Sequence, residues 1–325
     1  MRLAVLDDYQ RVARRFADWS PVEQRIDMTV FTDALDDADA LVARLAPFEI
    51  VCLMRERTRL TAEVIARLPR LALIVTTGPH NAAIDVAAAH ASGIVVCGTR
   101  SVASGTPELT WLLILALARH LPDELASVRR GGWQTTVGMD LNGRTLGIVG
   151  LGRIGTRVAT VASAFGMSTI AWSPNLTSER ARAGGATLVD KETLFRTADF
   201  VAICLQLGPS TRGIIAAADL AAMKPTACLV NTARGPLVDE AALIDALTRR
   251  RIAGAGIDTF AVEPLPADHP FRCLDNVIAT PHLGYVTEAT YRTFFTETVE
   301  AVLGWLDGRP VRVIREGTPV LPQSG

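Results

Sequence analysis

Short apolar runs alternate with helical stretches along the whole chain, in two series. Near-continuous apolar strands separated by helices are typical of parallel sheets that are covered on both faces. The pattern therefore predicts an α/β fold made of two doubly wound parallel-sheet domains. The predicted strands are 2–8, 28–32, 50–54, 71–77 and 93–98 in the first series, and 145–150, 167–173, 200–207, 227–233, 253–260 and 276–281 in the second. Helices are expected within the first series at about 33–46, 60–68 and 84–92.

The two series are separated near residues 99–104, where the strand–helix pattern stops. A long apolar helix is expected from Pro107 to about Leu121, as a connector between domains. Another long helix is expected over 287–307, where the second sheet has no obvious place for a further strand, so we interpret it as the chain crossing back to the first domain. The predicted domains are residues 1–100 together with 286–325, and residues 101–285.

Composition narrows the classes of function. The net charge of −1 offers no general attraction to nucleic acid or to an acidic membrane. The basic residues are almost all arginine and are scattered along the chain, so they do not form a binding patch. Five cysteines, none paired at metal-ligand spacing and most in apolar runs, predict buried thiols of a reducing cytoplasm and no metal site. The first residues are expected to form a strand ending in acidic residues rather than a signal peptide, and the apolar helix around 111–118 is expected to be too short to cross a bilayer.

A glycine-rich turn follows the first strand of the second series. In GIVGLGRIGTRVA, residues 147–159, Gly150, Gly152 and Gly155 satisfy the G-x-G-x-x-G spacing between a strand and a helix. The first glycine permits a tight turn, the second lets a pyrophosphate approach the backbone, and the third lets helix and strand pack closely. The phosphates would lie at the helix N-terminus, at Arg153 and Ile154. A glycine-rich turn without a ligand is the alternative.

The position that selects between NAD and NADP holds a serine. The second strand of a dinucleotide-binding domain usually ends in Asp or Glu, which binds the adenosine ribose diol of NAD. Ser173 stands there in this chain, so no carboxylate would repel a 2′-phosphate. Ser173, Asn175 and Arg180 could accept that phosphate. The sequence therefore favours NADP, or use of both dinucleotides, at least as much as NAD.

Three strand ends of the second series carry side chains suited to chemistry. Arg234 follows one strand, Asp258 and Glu263 follow the next, and His282 follows the last. Ligands of open α/β sheets bind beyond the carboxyl ends of the strands, so these groups are expected near the nicotinamide. Each alone is readily explained as a surface charge or a core histidine. Together, beside a dinucleotide turn, they predict a catalytic site.

These residues resemble the motifs of the NAD(P)-dependent D-isomer-specific 2-hydroxyacid dehydrogenases, and the resemblance covers nearly the whole sequence. It is carried by RGGW…LNGRTLGIVGLGRIG (130–155), NTARGPLVDEAALIDAL, GIDTFAVEPLP and TPHLGYVT. The resemblance implies a Rossmann-type dinucleotide-binding domain inserted into a flavodoxin-like substrate domain. It also implies an oxidoreductase that transfers hydride between NAD(P)H and a 2-keto acid or D-2-hydroxy acid, and a homodimer.

The resemblance assigns a role to each strand-end residue. Arg234 would hold the substrate carboxylate and polarise the carbonyl, while Glu263 and His282 would form the catalytic pair. The imidazole would be the general acid and base, with the glutamate on its other ring nitrogen. Asp258 would meet the nicotinamide amide, and Thr232 is placed with the cofactor-binding residues.

The first domain contributes candidate substrate contacts. Thr77 and Gly78 resemble a loop whose backbone N–H groups bind the substrate carboxylate. The run departs from the family pattern after Gly78, because Pro79 removes one N–H group and His80 replaces a usual glycine. Arg55 matches an arginine of members that take acidic substrates, and a solvated loop charge is the alternative.

Two other functions fit the same scaffold. A formate- or phosphite-type dehydrogenase would share the cofactor turn, but formate enzymes usually have glutamine in place of Glu263. A dinucleotide-sensing, corepressor-like binding protein can retain the arginine, glutamate and histidine. Such proteins usually carry long recruiting extensions, whereas only a short tail around 317–325 is expected after the last structured segment. The enzyme is therefore favoured.

Overall fold

Strands and helices alternate along the computed structural model, which describes residues 1–315. Within these residues twelve strands and thirteen α-helices are numbered in chain order. The strands are β1 Arg2–Val5, β2 Asp27–Val30, β3 Ile50–Leu53, β4 Leu73–Thr76, β5 Val95–Cys97, β6 Thr145–Val149, β7 Ser168–Trp172, β8 Thr187–Leu188, β9 Phe200–Ile203, β10 Cys228–Asn231, β11 Gly254–Ile257 and β12 Val277–Ala279. The helices are α1 Ala13–Phe16, α2 Ser20–Glu23, α3 Ala38–Leu45, α4 Ala62–Ala66, α5 Val86–Ala91, α6 Gly105–Ala118, α7 Leu121–Arg129, α8 Arg153–Ala164, α9 Ser178–Ala183, α10 Lys191–Thr197, α11 Ala217–Ala222, α12 Glu240–Thr248 and α13 Glu288–Leu306.

The chain divides into two compact units. The first comprises Met1–Val102 and the chain from Thr287, and the second comprises Ala103–Val286. The short tail expected at 317–325 lies outside the described residues. None of the helices described between residues 1 and 315 has the length and apolar character needed to cross a membrane.

The first unit contains a parallel sheet in the order β2-β1-β3-β4-β5. This is the flavodoxin-like order, with a topological switch point between β1 and β3 where the strand order reverses. All residues of β3 and β4 are buried, as expected for central strands that are covered on both faces. The predicted flavodoxin-like parallel sheet is therefore confirmed.

The second unit contains a parallel sheet in the order β12-β11-β10-β9-β6-β7-β8. From β8 through β6 and on to β12, this is the doubly wound Rossmann order with an added strand at its end. The order reverses between β6 and β9, and the glycine-rich turn directly follows β6. The predicted Rossmann-type sheet is confirmed, and its switch point lies at the glycine turn.

Two apolar cores cover the faces of the second sheet. Val149, Val201 and Leu229 belong to one core, and their chain neighbours Ile148 and Ala202 belong to the other. Because successive residues of a strand point to opposite faces, the two cores lie on opposite sides of the sheet. The continuous apolar runs in the sequence thus reflect burial on both faces.

Polar N-cap residues fix where many helices begin. The side chain of each accepts a hydrogen bond from a backbone N–H of the first turn, which satisfies a donor that the helix leaves open. These residues are Asp37, Thr61, Asp85, Thr177, Asp190, Asp239 and Thr287. The helices predicted at 33–46, 60–68, 84–92 and 287–307 are present, but each begins only after its cap.

The long apolar helix predicted from Pro107 to about Leu121 is present as α6, but it begins and ends two to three residues earlier than predicted. α6 spans Gly105–Ala118, and the chain then passes through His120 in a left-handed conformation, with φ of 48°. Pro122 lies in the first turn of α7, where its fixed φ favours a helix start. α7 was not predicted, and it is an exposed helix in which only Ser127 is buried.

Candidate active site

Each glycine of the turn after β6 has its own structural reason. Gly150 has φ of +97°, and a Cβ added there would lie 2.8 Å from the backbone of Leu205. A Cβ added at Gly155 would clash with the carbonyl oxygen of Gly150. Gly152 is the N-cap of α8, and a Cβ there would meet no described atom within 4 Å. The turn therefore packs closely against the backbone at Gly150 and Gly155 and has open space at Gly152. That space fits a pyrophosphate at the N-terminal N–H groups of Arg153 and Ile154.

The residues expected near the adenosine ribose lie beyond β7. Ser173 directly follows β7 and is half-buried, while Asn175 and Arg180 are exposed. The guanidinium of Arg180 donates to the backbone carbonyl of Asn175 across 3.3 Å, which holds it beside this loop. Thr232 directly follows β10, is buried, and shares a hydrogen bond of 2.7 Å with the hydroxyl of Thr110.

The imidazole of His282 and the carboxylate of Glu263 are directly hydrogen-bonded. Nδ1 of His282 lies 2.6 Å from Oε2 of Glu263, and Oε1 of Glu263 accepts from the backbone N–H of Phe260 across 2.9 Å. An ionised carboxylate only accepts, so the ring must donate from Nδ1. The ring nitrogen that can exchange a proton with a substrate is therefore Nε2.

The environment of Glu263 favours its ionised form. Burial alone would raise its pKa, but the hydrogen bond and charge of His282, the N–H of Phe260 and the charge of Arg234 outweigh burial. The net effect is that the pKa of Glu263 is lowered. The imidazole of His282 thus faces an ionised carboxylate.

Arg234 lies just beyond β10 in a turn held by Asn231. The side chain of Asn231 donates to the carbonyl of Arg234 and accepts from the N–H of Ala233, both across 3.0 Å. The Arg234 guanidinium donates to the carbonyl of Ala233 across 2.8 Å. A Cβ added at Gly235 would clash with the backbone of Phe260. The turn that carries Arg234 therefore rests directly on the loop that carries Glu263.

Asp258 holds the turn that carries His282. Its Oδ1 accepts from the hydroxyl of Thr280 across 2.6 Å and from the N–H of Leu283 across 2.7 Å. Its Oδ2 accepts from the N–H of Gly284 across 2.9 Å, and the residue is 0 % exposed. His282 has φ of +54°, a conformation that such contacts must hold in place.

Burial of Asp258 disfavours its ionised form. Burial raises the pKa of Asp258 more than the hydrogen bonds of Thr280, Leu283 and Gly284 and the charge of His282 lower it. The family resemblance implies that this carboxylate meets the nicotinamide amide, and that contact stays a prediction. The structure shows both of its oxygens bonded within the protein.

In the first unit the backbone donors of the Thr77–Gly78 loop are engaged. The N–H of Thr77 donates to the carbonyl of Leu53 across 3.0 Å, and the N–H of Gly78 donates to the hydroxyl of Thr99 across 2.7 Å. Both N–H groups thus connect this loop to the ends of neighbouring strands. That these two N–H groups bind a carboxylate stays a prediction, and in this structure both of them donate to protein oxygens.

Arg55 packs onto the same loop. Its backbone N–H donates to the hydroxyl of Thr77 across 2.8 Å, and its guanidinium donates to the carbonyl of Thr77 across 3.2 Å. A second guanidinium nitrogen lies 3.3 Å from the carboxylate of Glu56. The Arg55 side chain is 13 % exposed, and a Cβ at Gly78 would clash with it. A fully solvated loop charge therefore does not describe Arg55.

Three notable groups were not singled out from the sequence. Asp7 follows β1 at the switch point of the first sheet, and burial raises its pKa to about 6 despite a hydrogen bond from Thr58. The acidic residues after the first strand were the available signal for Asp7.

Glu240 and His269 form a second carboxylate–imidazole pair, 3.3 Å apart. Nothing in the sequence signals that pair, because its members belong to separate segments with no shared motif.

Comparison with known proteins identifies the family. Residues 111–284 match the model of the NAD binding domain of D-isomer specific 2-hydroxyacid dehydrogenases. The chain belongs to this family. It is 40 % identical to a D-3-phosphoglycerate dehydrogenase of Methanocaldococcus jannaschii over 296 residues, which are 90 % of this chain and 54 % of the relative. It is 37 % identical to a glyoxylate reductase of Aeropyrum pernix over 278 residues, which are 82 % of this chain and 83 % of the relative.

Solved structures of this family have the same fold. A phosphoglycerate oxidoreductase from Vibrio cholerae O395 matches with a TM-score of 0.90 and 38 % identity, over 95 % of this chain and 99 % of that chain. The present chain spans about half the length of the phosphoglycerate dehydrogenases it resembles, 54 % for the archaeal one. The family membership inferred from the motifs is confirmed.

Replacing Asp258 with alanine tests its role in holding the turn. The change leaves the N–H groups of Leu283 and Gly284, the latter buried, without their acceptor. We therefore expect a loss of on the order of 2–5 kcal/mol in the free energy of unfolding, from urea titration. Asp275→Ala is the control, because Asp275 forms an exposed ion pair with Arg250 and should change stability by less than about 1 kcal/mol. Equal effects of the two variants would contradict the role given to Asp258.

Proposed function

We propose that this protein transfers hydride between NAD(P)H and a 2-keto acid or D-2-hydroxy acid. The observation that supports this most is the 2.6 Å contact between His282 and Glu263, in the part of the chain that matches a family NAD binding domain. An imidazole with an anionic partner on one nitrogen is suited to donate and accept protons through the other. The bound dinucleotide would supply the hydride chemistry.

His282 is the proposed general acid in reduction and general base in oxidation. Negative charge develops on the carbonyl oxygen of the substrate as it is reduced, and Nε2 of the protonated ring supplies the proton. Glu263 holds Nδ1, which fixes the ring orientation and stabilises the positive ring. In the oxidation direction the neutral ring removes the hydroxyl proton.

Arg234 is the proposed binding group for the substrate carboxylate. A guanidinium can bind a carboxylate with two parallel hydrogen bonds, which a lysine cannot reproduce. Its positive charge also stabilises the negative charge that develops on the carbonyl oxygen. The influence of Arg234 on the pKa of Glu263 supports a common electrostatic environment for both groups.

We also propose Arg55 as a substrate-binding residue of the first unit. The N–H groups of Thr77 and Gly78 donate to protein oxygens, so the guanidinium packed on their loop is the better candidate to bind an anion. Thr77 and Gly78 would then act by positioning Arg55. An arginine here is consistent with a substrate that carries an acidic group, which is the chemistry named for the phosphoglycerate dehydrogenase relatives.

NADP, or use of both dinucleotides, is the proposed cofactor preference. It is supported by Ser173 in place of an acidic residue after β7, and by Arg180 and Asn175 in the same loop. We expect fluorescence titration of the wild-type protein to give NADPH an affinity at least comparable to that of NADH. A preference of about ten-fold or more for NADH, or about 1.4 kcal/mol in binding free energy, would contradict this proposal.

A homodimer is the proposed oligomer. Large apolar side chains of α6, α7 and the segment after them are exposed: Leu112, Leu115, Leu121, Leu125, Val128, Trp133 and Val137. Trp133 is 74 % and Val137 is 92 % exposed, which is unusual for side chains of this kind in a monomer. A single monomeric species in sedimentation at assay concentrations would argue against it.

Replacing His282 with alanine removes the proposed acid. With 2-keto acids as substrates and NADH or NADPH as donor, we expect turnover to fall on the order of 10²–10⁴-fold, the range for lost acid–base catalysis. Cofactor affinity should stay nearly unchanged, since His282 is not assigned to dinucleotide binding. The rate is read from the loss of reduced-dinucleotide absorbance.

His120→Asn is the matched control for that assay. His120 is exposed and left-handed, a conformation that asparagine tolerates, so this variant should keep wild-type turnover. Near-wild-type turnover in His282→Ala would reject His282 as the acid. The wild type could instead bind the reduced dinucleotide tightly but not oxidise it with any 2-keto acid. The acids to be screened are glyoxylate, hydroxypyruvate, pyruvate, and branched and aromatic examples. That result would favour the dinucleotide sensor.

A further inference from the structure

We propose that Glu240 and His269 are positioning residues that hold the Glu263 loop against the Arg234 turn. By doing so they set the geometry of the His282–Glu263 pair. This inference rests on the function proposed above, because it concerns how the same proton-donating pair is held. It adds a second carboxylate–imidazole pair whose role is structural support of the first.

Glu240 uses both of its carboxylate oxygens. Its Oε1 lies 3.3 Å from Nε2 of His269, and its Oε2 accepts from the backbone N–H of Ala261 across 3.1 Å. Glu240 is the first residue of α12, which begins six residues after Arg234. The carboxylate therefore connects the segment after the Arg234 turn to the loop that follows β11.

His269 is fixed by contacts at both ring nitrogens. Nδ1 of His269 accepts from the backbone N–H of Phe271 across 3.2 Å, so in the neutral ring the proton lies on Nε2, facing Glu240. The ring also packs on Phe271 at 4.9 Å between centroids. The side chains of His269 and Glu240 are 14 % and 25 % exposed, so this pair is more shielded than an ordinary surface ion pair.

The two glutamates hold neighbouring peptide groups of one loop. Glu263 accepts from the N–H of Phe260, and Glu240 accepts from the N–H of Ala261. Gly235 packs against the backbone at the same two positions, where a Cβ would clash. Phe260 and Ala261 are thus clamped between the Arg234 turn and Glu240, immediately before the chain presents Glu263.

The clamp acts on the part of the loop that has the least apolar burial. Phe260 and Leu265 pack on the core, whereas Ala261, Val262 and Pro264 between them are exposed. Because these exposed residues lack buried apolar contacts, hydrogen bonds to the backbone become important for fixing this stretch. A shift of the Glu263 carboxylate by about 1 Å would lengthen its contact with His282, and shifts of that size can cost on the order of 10²-fold in rate.

A double-mutant cycle measures whether Glu240 acts through Glu263. The variants are Glu240→Ala, Glu263→Gln and the double variant, assayed for turnover and for the KM of the dinucleotide. We expect Glu240→Ala to lower turnover on the order of ten-fold and leave the KM of the dinucleotide unchanged. In the Glu263→Gln background it should have no further effect, because the contact it supports is already gone.

Conservative variants separate positioning from general stability. Glu240→Gln keeps an acceptor for the N–H of Ala261 and should restore most of the turnover lost in Glu240→Ala. His269→Asn keeps an acceptor for the N–H of Phe271 but is too short to reach Glu240, so it should show the same non-additivity with Glu263→Gln. It also completes the cycle if Glu240→Ala does not fold. Glu192→Ala is the control, since Glu192 forms an exposed pair with Arg196.

The outcomes distinguish this inference from the function on which it rests. Wild-type turnover in Glu263→Gln would overturn the catalytic pair itself. If Glu263→Gln slows the reaction but Glu240→Ala and His269→Asn reduce turnover by the same factor in both backgrounds, the positioning role is overturned and the function stands. Unchanged turnover in both Glu240→Ala and His269→Asn would overturn it as well.

Discussion

The hydrogen bond between His282 and Glu263 is the interaction on which the rest of the account depends. It joins two loops that follow the adjacent strands β11 and β12, so the sheet brings the residues close and side chains complete the geometry. Asp258 holds the turn of His282 from inside the protein. The N–H of Phe260 holds Glu263, and the Gly235 backbone packs beneath it. Each partner in the hydrogen bond is therefore anchored separately.

The sequence predicted the features that depend on periodicity and on strand ends. Continuous apolar runs such as Ile50–Leu53 indicated strands buried on both faces, and they form the parallel sheets. Gly150, Gly152 and Gly155 indicated a glycine turn, and the structure gives Gly150 and Gly155 steric reasons while leaving open space at Gly152. The placement of His282 after β12 followed from the same logic, because parallel strands present their carboxyl ends at one edge.

The remaining features depend on which partner each polar group finds, and a single chain pattern does not encode that. The family resemblance gave Gly78 a role in anion binding, but it did not indicate the hydrogen bond from its N–H to Thr99, a residue of a different strand end. It gave Asp258 a role toward the nicotinamide amide, but it did not indicate the hydrogen bonds that Asp258 accepts from the N–H groups of Leu283 and Gly284. The His269–Glu240 contact joins segments 29 residues apart, with no motif to connect them.

The pH dependence of keto-acid reduction in Glu263→Gln tests the central claim most directly. The anionic partner stabilises the protonated imidazole, so its neutralisation should make reduction fail at a lower pH than in the wild type. The measurement is the turnover of both proteins across the pH range in which the wild-type rate declines, at saturating cofactor. Superimposable pH profiles of the two proteins would contradict the account, because the carboxylate of Glu263 would then have no effect on the proton donor.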